Sequence, residues 1–450
     1  MDHALDAVFA WLDGESLLRA GMVCRRWAHR AVGKEAWHGR VAGVRWARDL
    51  SPRDAYRRSL SVRSHWLRRV AVTTLETGLR PLCSDGDWLV YAHDRSHPDD
   101  PSHCRYSGGP VPREYYRSTR LYDADLARTV AVLPDDARAA ALWRQTARCA
   151  TVTTEGPGPG MPYYTYSATC TVWAPAVPPD DRGREAWCKL CSFRLGETTP
   201  GTAVVRWQHA HHRLLVYRAT NSCCCVEWFD VGAGTARPAA RQERAWSSSV
   251  QLVAAADASS AFLAVDNALY ALDPRASADP GASPLLTFDA ADHRSVADLG
   301  DGRHVVTGHR AEKTGHRGSW CLELWDLRAA GARAAPVATL YPPSRHRPSW
   351  QDVPMCATAR GTVLGLTHRE CPQRAYCSAH VAIEEWDPAR GSTRKLFVAG
   401  DDCDFGHYTW RWADERRIIM GHNYLPGVLL DADPGAVRPQ GGGSGDDHDA

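Results

Sequence analysis

Thiols and imidazoles carry the first hint of chemistry. Cys188 and Cys191 form a Cys-x-x-Cys pair in AWCKLCSF, Cys223, Cys224 and Cys225 stand in a row, and His209, His211 and His212 crowd against Arg213. One Cys-x-x-Cys pair is half of a structural zinc site, and no second pair follows at finger-like spacing. Residues three apart in a strand also point to opposite faces, so Cys188 and Cys191 read as strand residues and no metal is expected. The cysteine run reads likewise, as small residues of a strand with alternate positions buried. The histidines fall between the apolar segments TAVVRW and RLLVYR, where a turn and its polar residues are expected. Cys24 lies one turn from Trp27, but a nucleophile needs a positioned base, and His29 is on a poorly suited side of that helix. No Gly-rich phosphate loop, G-x-S-x-G elbow or H-E-x-x-H occurs. The prolines of GPGPG at 156–160 do not suit a phosphate-cradling helix start. The chain therefore reads as non-catalytic, with no cofactor.

The elements that would position any binding surface come next. At 450 residues the chain suits a small domain plus a large one, or one large repeat domain. Hydrophobic residues at 44% and charged residues at 24% are ordinary globular usage, and no run approaches the roughly 20 apolar residues that span a bilayer. The opening MDHALDAVFAWLDGES is acidic where a secretory signal is basic. An odd count of 15 irregularly spaced cysteines points to reduced thiols, so a cytoplasmic or nuclear setting is expected. The net charge of +2 hides an asymmetry: residues 1–70 hold fourteen Lys or Arg against seven Asp or Glu, which suits an acidic partner at that end. Lysine occurs only four times, so arginine has taken over the basic positions, and a protein interface accounts for them better than nucleic acid.

Leu5, Val8, Phe9 and Leu12 recur at helical spacing. After Asp13-Gly14, Ser16 is positioned to cap a second helix whose apolar face is Leu17, Ala20, Val23, Cys24 and Trp27. A short third helix carries Trp37 and Val41. Three helices in forty residues bury little alone, so their faces are expected to finish their burial against something else.

From about residue 70 the pattern turns to short strands and one phrase recurs: TRLYDADLAR at 119, CTVWAPAVPP at 170, VEWFDVGAG at 226, NALYALDPRA at 267, CLELWDLRAAG at 321, VAIEEWDPARG at 381 and GVLLDADPGA at 427. Strands such as WLVYA, RLLVYR and RIIMGH precede it, and TVAVLP, PLLTFD and RKLFVAG follow. Four strands per unit, seven times over, predict a seven-bladed β-propeller. The last unit lacks a fourth strand, and RRVAVTTLE at 68–76 has no unit of its own, so the two are expected to pair and close the ring.

Two resemblances follow from these residues. Residues 3–42 resemble an F-box: Leu5, Val8, Phe9 and Leu12, the Leu17-Leu18 pair, Val23-Cys24-Arg25-Arg26-Trp27 in place of the family's V-C-[RK]-x-W phrase, and Trp37 in place of its late tryptophan. The family's usual Leu-Pro is absent, Leu5 being followed by Asp6. Residues 68–434 are similar to WD-repeat propellers, with Trp325-Asp326 and Trp386-Asp387 keeping the dipeptide. Between them, 43–67 resembles the helical linker of F-box proteins with WD repeats, with Tyr56 and Trp66 as its anchors, and the Gly-rich acidic tail at 435–450 is expected to be disordered.

The resemblance implies the substrate-recognition subunit of a Skp, cullin and F-box ubiquitin ligase, which is itself non-catalytic. Leu5, Val8, Phe9, Leu12, Leu17, Leu18, Val23, Cys24, Trp27 and Trp37 would face the Skp-type adaptor and, through it, the cullin. The alternatives are a non-degradative or decoy scaffold that binds the adaptor, and a propeller enzyme or sugar-binding module. Long connections between second and third strands would build the substrate face, with Arg113, Tyr115, Tyr116, Tyr163, Tyr164, Arg317 and Arg374, joined by Arg345, Arg347 and Trp350 from an inter-blade segment. Arg and Tyr are enriched at hot spots, and the basic bias suits an acidic or phosphorylated protein substrate. No nucleic acid or membrane partner is expected.

Overall fold

A computed structural model describes residues 2–37, 41, 50–68, 70–77, 79–93, 119–125, 128–155, 166–176, 187–199, 203–208, 213–220, 223–232, 235–245, 250–254, 261–265, 268–272, 284–287, 295–299, 303–311, 319–329, 335–340, 355–370, 378–398, 408–422 and 426–432. Among them are four α-helices, α1 (Asp2–Trp11), α2 (Gly14–Ala20), α3 (Arg25–Val32) and α4 (Pro52–Arg68), with a 3-10 turn at Lys34–Trp37. None is long and apolar enough to cross a membrane. The remainder is mainly β.

Strand β1 (Ala71–Thr77) follows α4, and seven four-stranded antiparallel sheets are formed among the described residues. Sheet one is β2–β5 (Leu79–Asp85, Trp88–His93, Thr119–Asp123, Arg128–Leu133). Sheet two is β6–β9 (Ala137–Trp143, Arg148–Glu155, Tyr166–Pro175, Trp187–Thr198), and sheet three is β10–β13 (Val204–Gln208, Arg213–Ala219, Cys223–Val231, Ala236–Ala245). Sheet four is β14–β17 (Val250–Ala254, Ala261–Val265, Ala268–Leu272, Leu286–Thr287), and sheet five is β18–β21 (Ser295–Asp298, His304–Ala311, Ser319–Asp326, Ala338–Leu340). Sheet six is β22–β25 (Met355–Ala357, Val363–Glu370, Ser378–Asp387, Ser392–Val398). Sheet seven takes β26–β28 (Tyr408–Asp414, Arg417–His422, Pro426–Asp431) and receives β1 as its outer strand, with Ala71 opposite Asp431 and Thr74 opposite Val428.

Each recurring phrase is the third strand of its sheet: β4, β8, β12, β16, β20, β24 and β28. Neighbouring sheets meet through their first strands: β2 touches β6, β6 touches β10, and so on through β14, β18, β22 and β26, which touches β2. Stacked antiparallel meanders packed in this way are the blade arrangement of a β-propeller. The apolar residues of adjacent sheets interleave, as where Val152, Val172 and Trp173 of sheet two lie with Val205, Trp207 and Leu214 of sheet three or with sheet one.

The Asp that ends the phrase has a repeated structural task. The carboxylate of Asp123 accepts from the Asp125 N–H at 2.9 Å, and that of Asp326 from the Arg328 N–H at 2.9 Å, so the side chain closes the turn that follows the strand. The other oxygen of Asp123 accepts from Trp88 Nε1 at 3.2 Å and that of Asp326 from Arg303 at 2.6 Å, donors at or next to the start of the second strand, and Arg213 meets Asp230 likewise at 2.6 Å. Side-chain and backbone hydrogen bonds from Arg303 and Arg328 hold Asp326 down at about 2. Tryptophans on third strands are anchored too, Trp173 Nε1 to Thr151 Oγ1 at 2.9 Å and Trp325 Nε1 to Thr307 Oγ1 at 3.0 Å.

Helix α4 joins the two parts. Ser51 caps it, accepting from the Asp54 N–H at 3.2 Å and donating to the Asp54 carboxylate at 2.6 Å, with Pro52 at the first helical position. One stripe, Ala55, Ser59, Val62 and Trp66, is buried, and Val62 and Trp66 pack with Leu364, Ile383, Ile418 and Leu430 of sheets six and seven. Trp66 Nε1 donates to the backbone carbonyl of Glu415 at 2.9 Å. Tyr56, on the neighbouring stripe, joins the core of α1–α3 instead.

Candidate docking surface

The helical core is made of Phe9, Leu17, Ala20, Ala31, Trp37 and Tyr56, with Leu12, Leu18, Trp27 and Leu60 partly buried around it. Trp37 donates its indole N–H to the Ala31 carbonyl at 2.7 Å, Phe9 meets Trp27 edge-on with centroids 5.5 Å apart, and Trp37 packs on Tyr56 at 5.3 Å. Gly14 is required here, because a Cβ at that position would overlap the Tyr56 ring. The three helices thus finish part of their burial against α4 of the same chain, which the periodicity of α1–α3 alone does not disclose.

The continuous helix expected from Leu17 to Trp27 is two helices. Gly21 ends α2, and Met22, Val23 and Cys24 form the link, with Cys24 extended at the N-cap of α3. Glycine is about 1 kcal/mol worse than alanine within a helix and β-branched valine is also poor, so the chain breaks there. The cap of α2 is Asp13, which accepts from the Ser16 N–H at 2.7 Å, rather than Ser16 itself. That backbone hydrogen bond holds the Asp13 carboxyl below its usual range. Asp6 sits 3.2 Å from Arg30 and ties α1 to α3.

The ten residues expected on the docking face therefore separate. Phe9, Leu17 and Trp37 are buried within the chain, and no partner reaches them while the helices stay folded. Leu5, Leu12, Leu18 and Trp27 are half-buried, while Val8, Val23 and Cys24 are exposed. Trp11 and Met22 join the exposed set, at 91% and 77%. Trp11 follows Val8 by three residues and Ala7 by four, so it widens the apolar side of α1 beyond the Leu5–Leu12 stripe, and that extra apolar residue was the available signal. Of nine large exposed apolar side chains among the described residues, five, Val8, Trp11, Met22, Val23 and Val32, belong to α1–α3 and the link between them. Arg19, Arg25 and Arg26 of the same helices are exposed too. Large exposed apolar side chains and exposed arginines in one short module are chemically suited to a protein partner with an apolar groove and acidic surroundings.

Arg113, Tyr115, Tyr116, Tyr163, Tyr164, Arg317, Arg345, Arg347, Trp350 and Arg374 lie outside the described residues, as do His209, His211, His212 and GPGPG. Cys188 is exposed and Cys191 partly buried on outer strand β9. In the run that opens β12, both Cys224 and Cys225 are buried and Cys223 is partly exposed, because neighbouring sheets cover both faces of a blade where simple alternation expects one. Among the described residues no three His, Cys, Asp or Glu converge as metal ligands.

Sequence reasoning missed the turn between β26 and β27. Arg416 grips Asp431 with both ends of its fork, at 2.6 and 2.7 Å, and the fully buried Arg417 reaches Asp87 at 3.1 Å and also Asp125, both in turns of sheet one. Burial works to raise Asp87, but Arg417 and Arg144 outweigh it and hold its carboxyl below the usual range. Glu415 Oε2 accepts from the Ala359 N–H of sheet six at 2.8 Å, and burial pushes this carboxyl up to about 7. The sequence DERR at 414–417 reads as an ordinary charged turn.

No family model matches the chain, and no curated protein matches it. Solved structures similar to it include the WD40 domain of SCAP from fission yeast, at 8% identity and TM-score 0.40 over 81% of this chain and 98% of that one. The β-propeller domain of Cps50 (Swd1) from Myceliophteria thermophila gives 10%, 0.46, 81% and 98%, and the C-terminal WD40 domain of Sif2 gives 11%, 0.42, 81% and 82%. These likenesses concern the fold alone.

Proposed function

We propose that the chain is the substrate-recognition adaptor of a Skp-cullin-F-box type ubiquitin ligase, with α1–α3 as the F-box that docks on a Skp-type adaptor and a seven-bladed propeller, closed by β1, as the part that holds a protein substrate. The observation that carries this reading is the exposure of Val8, Trp11, Met22, Val23 and Val32 on a small helical module whose own core is already filled. A folded module that leaves large apolar side chains in water has a partner to cover them. The unbroken sequence of first-strand contacts from β2 round to β26 and back supports the closed ring, and the β1–β28 pairing supports the way it closes. The protein is not itself an enzyme, and its setting is cytoplasmic or nuclear.

The test is co-purification with a Skp-type adaptor. Because Met22 and Val23 are exposed, Met22→Asp with Val23→Asp puts two charges among the exposed apolar residues without touching the core, and it is expected to abolish capture while thermal unfolding is unchanged. Retention of full adaptor binding by this variant rejects the reading. Adaptor binding by the wild type, with no protein accumulating when the chain is deleted from cells, would move the assignment to a non-degradative scaffold.

A further inference from the structure

The four residues Asp414–Arg417 hold four parts of the molecule, the end of β28, sheet one, α4 and sheet six. Arg416 clasps Asp431 at the end of β28, where β1 pairs, and its own carbonyl accepts from the Ala432 N–H at 2.9 Å. Arg417 clasps sheet one. Glu415, between Asp414 and these arginines, faces the other way: its carbonyl accepts from Trp66 of α4, and its carboxylate takes the Ala359 N–H of sheet six. Asp414 knits the turn by accepting from the N–H groups of both Arg416 and Arg417, at 2.7 and 3.0 Å. All four residues are buried. A turn this short cannot release one residue without disturbing the backbone of the next two, and each charged group set free there is left buried and unpaired.

We propose that this turn is a conformational joint that couples the seating of α4 to the pairing of β1 with β28, so that whatever lifts α4 off sheets six and seven also loosens the junction between the first and last strands. The two states are α4 seated with the contacts of Arg416, Arg417 and Glu415 made, and α4 lifted with the turn and the strand junction both weakened. That is the discrete two-state element that coupling requires. The joint is independent of what α1–α3 bind. Arg63 of α4, paired with Glu385 at 2.9 Å and with Glu15 at 3.5 Å, adds the helical module to the same connection.

The carboxyl of Glu415 gives the joint a pH dependence. Burial is the largest influence on it, with the Ser59 hydroxyl of α4, Arg360 of sheet six and the Ala359 N–H pulling it back and Asp414 adding to the rise. Cys356 of sheet six also feels its charge, and Arg360 is engaged with Glu385. The folded value of about 7 lies above the ordinary 4.5. The folded chain therefore binds the extra proton, and the stability this group contributes is present below about 4.5 and lost as pH rises through about 7.

Hydrogen exchange measured by mass spectrometry on the full chain tests the joint. Trp66→Phe removes only the indole donor of the contact with Glu415 and a part of the ring. Its expected result is faster exchange in 59–66 and, by roughly fivefold or more, in 71–77 and 426–431, with β10–β12 unchanged. Faster exchange confined to 59–66 overturns the proposal. The second arm keeps the wild-type fold: after correction for intrinsic rates, exchange in 59–66, 71–77 and 426–431 is expected to rise together from pH 6 to 8, in the wild type and in a His65→Asn background. Glu415→Gln is expected to abolish the rise. A rise limited to α4, or one that survives Glu415→Gln, also overturns it.

Discussion

The helical module and the turn at 414–417 spend their side chains in opposite ways. In α1–α3 the large apolar groups Trp11, Met22 and Val23 stay in water while the core closes beneath them. At the turn, carboxylates and guanidinium groups are taken out of water and paired with one another. The first arrangement is poor for isolated stability and good for association. The second adds little net free energy over an apolar core, but a mispaired neighbour there leaves a buried charge unpaired, which makes one arrangement of strands strongly preferred.

The sharpest way to break this comparison is at Arg417. Arg417→Met leaves Asp87, Asp125 and Asp431 facing a thioether, and a loss of about 3–5 kcal/mol is expected from removing one partner of a buried network. Denaturant unfolding at pH 7 measures it, and a loss below 1 kcal/mol would show that the network is not a structural constraint. Gly14→Ala comes next, since its methyl must displace the Tyr56 ring. Overpacking of this kind costs about 1–3 kcal/mol. Limited proteolysis is expected to cut the first 40 residues faster while the sheets remain resistant.

The phrase Asp sharpens the picture within the propeller. Asp326 is held at about 2 against an ordinary 3.8, so its contribution is present above about pH 4 and disappears as pH falls through about 2. The stability gap between wild type and Asp326→Asn is expected to close over that range, and a gap independent of pH would assign the effect to shape alone. The smallest effect is expected at Met22. Met22→Lys should leave stability within about 0.5 kcal/mol, the usual range for an exposed site, and a larger loss would mean that the patch is part of the module's own core.

Much of the scaffold was legible because its cause is local. The seven phrases fall on third strands since each must alternate apolar residues and then turn, and both demands are written in a few consecutive residues. The pairing of 71–77 with 426–431 was legible by elimination, one strand and one sheet each lacking a neighbour. What stayed hidden depends on distant residues. Asp87 and Asp125 look like turn carboxylates until sheet seven arrives with Arg417, and Trp37 and Gly14 are covered by Tyr56 of α4. The break at Gly21 was local and was still missed, because Val23, Cys24 and Trp27 continued the apolar spacing across it. The surface expected to read a substrate lies outside the described residues, so its arginines and tyrosines remain an expectation of the sequence.

The bond between β1 and β28 also sets an order of events at the ribosome. Asp431 is added 360 residues after Ala71, so at 5–20 residues per second β1 waits roughly 20–70 s for its partner. Through that interval it is an unpaired strand with Val72 and its ladder groups open to any passing edge. A chain built this way is safest when a chaperone, or α4 folded early beside it, shields the first strand until the last is made.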